Sequence, residues 1–92
     1  MKIIKIGAIW CPSCLIVNNY LTKLKNNYDL DIIEYDYDFD DEYVKKYNVK
    51  DILPEVIFVN KQDQEIGRII GEKSLKEYEE KIQELEKLLW KK

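Results

Sequence analysis

The chain has 92 residues, of which 46% are hydrophobic and 36% are charged, and its formal net charge is −3. We therefore expect one domain over residues 1–92, with a small core and a heavily solvated surface. The acidic balance argues against nucleic acid and anionic membranes as partners, because both bind a concentrated basic face. The chain has no His and only two Cys. Those counts exclude Ser-His-Asp and Cys-His hydrolases, His-based metal sites and a multi-disulfide framework.

The hydrophobic runs are short. None approaches the roughly 18 residues that a membrane-spanning helix needs. The first residues lack the apolar core and small-residue cleavage site of a signal peptide. We expect a cytoplasmic protein.

The first part of the chain predicts a strand, a helix and a second strand. Residues 3–9 form a β-branched run typical of a buried strand. Pro12 suits the first turn of a helix, which the apolar spacing extends over about residues 12–27. Residues 31–39 alternate with period two, which predicts a strand. Its predicted inner face carries Ile33, Tyr35, Tyr37 and Phe39.

The middle of the chain predicts a short helix and a hairpin. Asp40 or Asp41 can cap the short helix. Pro54 then breaks the chain. Two strands follow, over residues 56–59 and 66–70, and a polar turn joins them.

The last element is a helix that begins after Ser74. Ser74 and Glu77 have the spacing of a capping box. Lys91 and Lys92 are expected at the C-terminus of this helix, where positive charge is favoured, and Trp90 is expected to pack loosely. The order β-α-β-α-β-β-α predicts an α/β fold with one mixed four-stranded sheet and three helices on its two faces. Its first two strands should be parallel and its last two antiparallel.

Two cysteines lie where the first strand meets the first helix, in the segment Trp10-Cys11-Pro12-Ser13-Cys14. Their spacing places both sulfurs at the first helical turn, where free N–H groups and the helix dipole favour an anion. Because the thiolate is the nucleophile in disulfide exchange, a redox pair is favoured. Three other interpretations stay open: half of a zinc site completed by carboxylates or by a second chain, a passive disulfide, and inert packed thiols.

On these residues the chain resembles a small member of the thioredoxin family over essentially its full length. Trp10, Cys11 and Cys14 match the family's active-site motif. Pro54 matches the proline that the family holds in cis opposite the cysteines. Gly71, followed by the last helix, matches the C-terminal part of the family's pattern. The resemblance implies a thioredoxin-like fold and a protein-disulfide reductase. Cys11, the accessible thiol, would attack the substrate disulfide and form a mixed disulfide. The more buried Cys14 would then attack Cys11 and release the reduced substrate.

The resemblance also implies the surroundings of the cysteines. The Leu53–Pro54 bond is expected to be cis. No cofactor is expected beyond a reversible Cys11–Cys14 disulfide, and no metal is expected. The implied partners are protein disulfides and a thioredoxin-reductase-like donor, with the chain a monomer. The expected substrate groove is formed by Trp10, Pro12, Leu53 and Pro54.

Two alternative functions stay open. Pro12-Ser13 between the cysteines is closer to the glutaredoxin pattern than to Gly-Pro, so a glutathione-dependent reductase is one alternative. The segments Ile52-Leu53-Pro54 and Ile70-Gly71-Glu72, however, do not match the glutathione-holding segments of glutaredoxins. The other alternative is a redox-inactive binding module with the same fold.

Lys5 is a charge inside the first strand, at the place of a buried Asp that in thioredoxins helps deprotonate the resolving cysteine. Aligning the second strand puts Glu34 at the place of the family's neighbouring Lys. We therefore predict a charge swap, with Lys5 and Glu34 close together beneath the cysteines and both modulating them. A lone ammonium in a central strand would be costly. The alternative is that Lys5 reaches solvent past the end of the strand.

Overall fold

A computed structural model describes residues 1–90, and for Trp90 it describes the backbone alone. The expectations for Lys91, Lys92 and the Trp90 side chain lie outside this description. The elements in chain order are β1 (Lys2–Gly7), α1 (Pro12–Lys25), β2 (Asp31–Asp36), α2 (Asp41–Lys46), β3 (Glu55–Val59), β4 (Glu65–Ile70) and α3 (Leu75–Trp90). The predicted element order is confirmed.

The four strands form one mixed sheet in the order β2-β1-β3-β4. β1 runs parallel to β2 and antiparallel to β3, and β3 and β4 form the antiparallel hairpin. Both predicted pairings are therefore confirmed. Because β1 and β3 are central, the residues that end β1 and begin β3 lie side by side in the middle of the sheet.

Helices cover both faces of this sheet. On one face, α1 and α3 pack on alternate residues of β1 and β3; their buried contacts are Val17, Leu21, Leu24, Tyr78, Ile82 and Leu85. The other face carries a second buried cluster, which includes both cysteines, Leu53 and Ile57. The short helix α2 lies against this face, where Tyr43 stacks on Tyr35 of β2 at 3.8 Å between ring centroids.

The predicted second strand is too long. β2 ends at Asp36, whose carboxylate oxygen Oδ1 accepts hydrogen bonds from the backbone N–H groups of Asp38 and Phe39. These bonds turn the chain away from the sheet, and Phe39, predicted to face inward, is 78% exposed. β1 and α1 also end two residues earlier than predicted, at Gly7 and Lys25.

The last helix begins as its sequence predicts. Ser74 Oγ accepts a hydrogen bond from the backbone N–H of Glu77 at 3.1 Å. Gly71, at the end of β4, has a positive φ of 84°, a conformation that glycine adopts without strain. Within the described residues, no helix is both long enough and apolar enough to cross a membrane.

Candidate active site

The junction between β1 and α1 places both cysteines at a helix N-terminus. Cys11 is the N-cap residue, with an extended backbone, and Pro12 follows it in the first turn. The backbone N–H of Cys14 donates to Cys11 Sγ at 3.2 Å, as it would to the oxygen of a Ser or Asp cap. The first turn of α1, described in full, contains no acidic residue. The helix dipole and its N–H groups therefore act on the Cys11 sulfur without a competing carboxylate in that turn.

Both cysteines are free thiols, and both are buried. Cys11 is 5% exposed and Cys14 is 3% exposed. The prediction that Cys11 would be accessible is therefore wrong for the free chain. Its side chain turns back to accept the Cys14 N–H, which places the sulfur under the start of the helix rather than outside it.

The Cys14 thiol is held in its protonated form. The pKa of Cys14 is raised to about 11, mainly by burial of the thiol and in smaller part by its hydrogen bond with Cys11. The positive charge of Lys5 acts in the opposite direction and lowers that pKa. At neutral pH, Cys14 is thus a neutral thiol next to a cationic side chain.

Lys5 lies in the sheet beneath the cysteines, as predicted, and is 2% exposed. It is paired in register with Glu34 of β2, and its Nζ lies 3.8 Å from Glu34 Oε2. The expected charge pair is confirmed, and the alternative of an ammonium reaching solvent is wrong. Gly7 makes room for this arrangement: a Cβ there would lie 3.0 Å from Cys14 Sγ and 3.3 Å from Lys5 Nζ.

A cavity of about 450 Å³ opens beside this group. Lys5, Cys14 and Glu34 line it together with the exposed residues Ile9 and Leu15. The cavity connects the buried thiol and ammonium with the exposed Glu34 carboxylate. Water in it would give Cys14 a route for proton exchange with solvent.

The Leu53–Pro54 peptide bond is cis, as predicted. Leu53 belongs to the same buried cluster as both cysteines. The Pro54 carbonyl accepts a hydrogen bond from the Gly71 N–H at 2.8 Å. The proline segment is thus fixed to the end of β4 on one side and packed toward the cysteines on the other.

The remaining predicted groove residues lie at the surface. Pro12 is exposed in the first turn of α1, and Trp10 is 60% exposed. The Trp10 indole Nε1 donates to Asp38 Oδ2 at 2.6 Å, so the loop after β2 orients this ring. Asp38 was not predicted from the sequence as the partner of Trp10. The available signal was the proximity of two parallel strand ends, since Trp10 follows β1 and Asp38 follows β2.

Glu55 was likewise not among the site residues predicted from the sequence. This carboxylate directly follows Pro54 and is 1% exposed. It accepts hydrogen bonds from the backbone N–H of Lys50 and from the Arg68 guanidinium. A single charged residue at the start of an apolar strand gave no sign of burial in the sequence.

Within the described residues, no group of three or more Cys, Asp or Glu side chains is arranged to hold a metal ion.

The comparisons with known proteins agree with this geometry. The family model described as Thioredoxin matches residues 1–84. The solved structure of thioredoxin 1 from Thermosipho africanus superposes with a TM-score of 0.84 at 25% identity, covering 99% of this chain and 100% of that one. Mitochondrial thioredoxin 3 from Saccharomyces cerevisiae gives 0.78 at 30% identity, covering 90% of this chain and 76% of that one. Comparison with curated protein sequences gives no match.

The chain has a thioredoxin-like fold, as its sheet order and the superposed structures show. The cysteine pair that caps α1 and the cis-proline are the site of a thiol–disulfide oxidoreductase, which is the class of protein that this fold and site define. With its family model matched over residues 1–84, this chain belongs to the thioredoxin family.

Proposed function

We propose that this protein reduces disulfide bonds in other proteins through its Cys11-Pro12-Ser13-Cys14 dithiol. The observation that carries the proposal is the position of Cys11 Sγ, which caps α1 and accepts the Cys14 N–H. Family membership supports the general chemistry. The buried cluster that joins Leu53 to both cysteines supports a protein substrate lying along the proline segment.

In the first step, the Cys11 thiolate attacks one sulfur of the substrate disulfide. The substrate S–S bond breaks, a Cys11–substrate disulfide forms, and one substrate thiolate leaves and takes a proton from solvent. Cys14 is unsuited to this step, because its pKa of about 11 leaves it protonated at neutral pH.

In the second step, Cys14 attacks Cys11 Sγ. Cys14 must lose its proton, and the cavity beside it gives a route to solvent. Its hydrogen bond with Cys11 is one of the causes that raise its pKa. That cause is removed once Cys11 enters the mixed disulfide, so the thiol becomes more acidic at the step that uses it. The Cys11–Cys14 disulfide forms, and the second substrate thiolate leaves.

The cycle transfers two electrons from the dithiol to the substrate and needs a donor to restore the reduced pair. A thioredoxin-reductase-like enzyme is the proposed donor, and no cofactor beyond the reversible disulfide is proposed. We propose that the chain acts as a monomer, in the cytoplasm, in electron transport that maintains the cellular redox balance.

Insulin reduction with dithiothreitol, compared with a glutathione-coupled assay, tests this function. Activity with dithiothreitol and none with glutathione is expected. Glutathione dependence would favour the glutaredoxin-like alternative, and inactivity in both assays would favour the binding module.

A trapping experiment tests the assigned roles of the two cysteines. Cys14→Ser should accumulate a mixed disulfide with substrate on non-reducing gels, because the resolving thiol is missing. Cys11→Ser is the matched control and should trap nothing. Trapping by Cys11→Ser alone would reverse the roles.

A further inference from the structure

The proposed disulfide exchange makes no use of Glu55, although this residue follows the cis-proline directly. It begins the central strand β3, pairs with Ile6 of β1, and is 1% exposed. Its side chain points to the same face of the sheet as Ile57, where the cluster containing both cysteines lies. A carboxylate is costly at such a position unless it is paired and hydrogen-bonded.

Two groups from different parts of the chain satisfy this carboxylate. Glu55 Oε1 accepts from Arg68 Nη1 at 2.8 Å, and Arg68 lies on β4. Glu55 Oε2 accepts from the backbone N–H of Lys50 at 3.0 Å. Arg68 is fixed in turn by Glu65, which accepts from its Nε and Nη2 at 2.9 and 2.6 Å. The side chain of Glu55 therefore connects β4 to the loop that precedes Pro54.

The segment between these two attachments has little else to hold it. Within the described chain, no backbone–backbone hydrogen bond involves Asp51, Ile52 or Leu53. Its N-terminal end is held by the bond from Lys50 to Glu55, and its C-terminal end by the bond between Pro54 and Gly71. Ile52 is 60% exposed in this segment, and Leu53 packs toward the cysteines.

We propose that Glu55, held by Arg68, is a positioning residue that fixes residues 51–53 in the geometry that receives a protein substrate. The inference rests on the proposed function, because it assigns these residues to the substrate-binding edge. Buried ion pairs contribute little net stability compared with apolar replacements. A network that ends on the N–H at the start of a loop whose residues 51–53 make no backbone–backbone hydrogen bond is better explained by its effect on the loop.

Glu55→Gln tests the proposal because it keeps the size of the side chain. A Gln side chain presents an N–H₂ group to one of the two donors, so the bond from Lys50 or from Arg68 is lost. Reaction of the reduced protein with insulin should lose roughly tenfold in kcat/KM, mainly through KM, because a loosened site misplaces its substrate. Reaction with a small aromatic disulfide, which needs no such edge, should fall far less.

Asp63→Asn is the matched control. It removes the exposed carboxylate that pairs with Lys2 at 2.8 Å, in the turn between β3 and β4, and it touches neither Glu55 nor Arg68. It should keep the wild-type ratio of the two rates. Arg68→Lys gives an independent measurement if Glu55→Gln does not fold. It keeps the charge but not the planar fork that bridges both glutamates, so it should show a smaller loss of the same kind.

The outcomes separate the two proposals. An unchanged insulin KM in Glu55→Gln, or equal losses with both disulfides, would overturn the positioning role while leaving disulfide reduction intact. A wild-type protein that reduces neither disulfide would instead overturn the proposed function.

Discussion

Lys5 places a positive charge under the cysteines, where a resolving thiol has to become an anion. The ammonium is buried beside Gly7 and Cys14. The side chain of its partner Glu34 is 60% exposed, so solvent screens the charge of that carboxylate. The two charges are therefore unequal in their effect on the thiols, and the field at Cys14 is dominated by the cation.

Replacing Lys5 with Met should raise the pKa of Cys14 and slow the resolving step, because less Cys14 thiolate is then available to attack the mixed disulfide. The apolar side chain fills a similar volume, so the variant should fold, but it no longer favours the thiolate. A loss of roughly threefold to tenfold in the resolving rate is expected, since a more basic thiolate is scarcer but somewhat more nucleophilic. Single-turnover reaction with a small aromatic disulfide measures this rate by release of the second thiol, and absorbance of the thiolate measures the titration.

Glu34→Gln is the control with opposite sign. Removing the carboxylate leaves the ammonium less compensated, so the pKa of Cys14 should fall and the resolving step should quicken by a smaller amount. If neither variant changed the resolving rate or the titration of Cys14, Lys5 would be a structural residue with no part in the chemistry.

At the scale of elements, the loop after β2 depends on Asp36. Its carboxylate accepts two backbone N–H groups, at 2.8 and 3.1 Å, and the same loop presents Asp38 to Trp10. Asp36→Ala should lower the free energy of unfolding by about 1–2 kcal/mol, because two donors lose their partner. Urea denaturation measures this. Asp31→Ala, at the exposed start of the same strand, should change it by less than about 0.5 kcal/mol. Equal effects would remove the special role of Asp36.

This loop also shows what the sequence could and could not predict. Periodicity, the prolines and the capping box were enough for the order of elements, because each signal is local. The end of β2 was missed because alternation continued to Phe39 while the Asp36 carboxylate competed for the backbone. The cysteine pair was predicted from its position between a strand and a helix, whereas the cis-proline and the pairing of Lys5 with Glu34 were predicted from the family resemblance. Trp10–Asp38 and Glu55–Arg68 were not, since both join residues distant in sequence that carry no local pattern.

At the scale of the whole molecule, two buried acids predict loss of stability in alkali. The pKa of Cys14 is raised from 9.0 to about 11 in the folded chain. Burial likewise raises the pKa of Tyr78, whose hydroxyl donates to the Gly71 carbonyl at 2.9 Å. A raised folded pKa means that the unfolded chain releases its proton first. The stabilising effect is therefore complete below pH 9.0 and is lost as the pH rises through about 11.

The midpoint of urea denaturation should therefore fall steadily as the pH is raised from 9.0 to about 11. Cys14→Ser removes one of the two acids and Tyr78→Phe removes the other. Each should make the decline shallower, whatever its effect at neutral pH. A midpoint that stays constant in the wild type over this range would contradict the prediction.

The helix α2 has a consequence for how the molecule opens. None of its six residues is fully buried, and its apolar contacts with the sheet face are those of Val44 with the second buried cluster and of the Tyr43 ring with Tyr35. Few apolar contacts oppose its separation, so it should unfold locally while the sheet stays intact. Its amide protons should then exchange with solvent long before those of β1 and β3. The same brief openings would make this segment the first place where a protease cuts the folded chain.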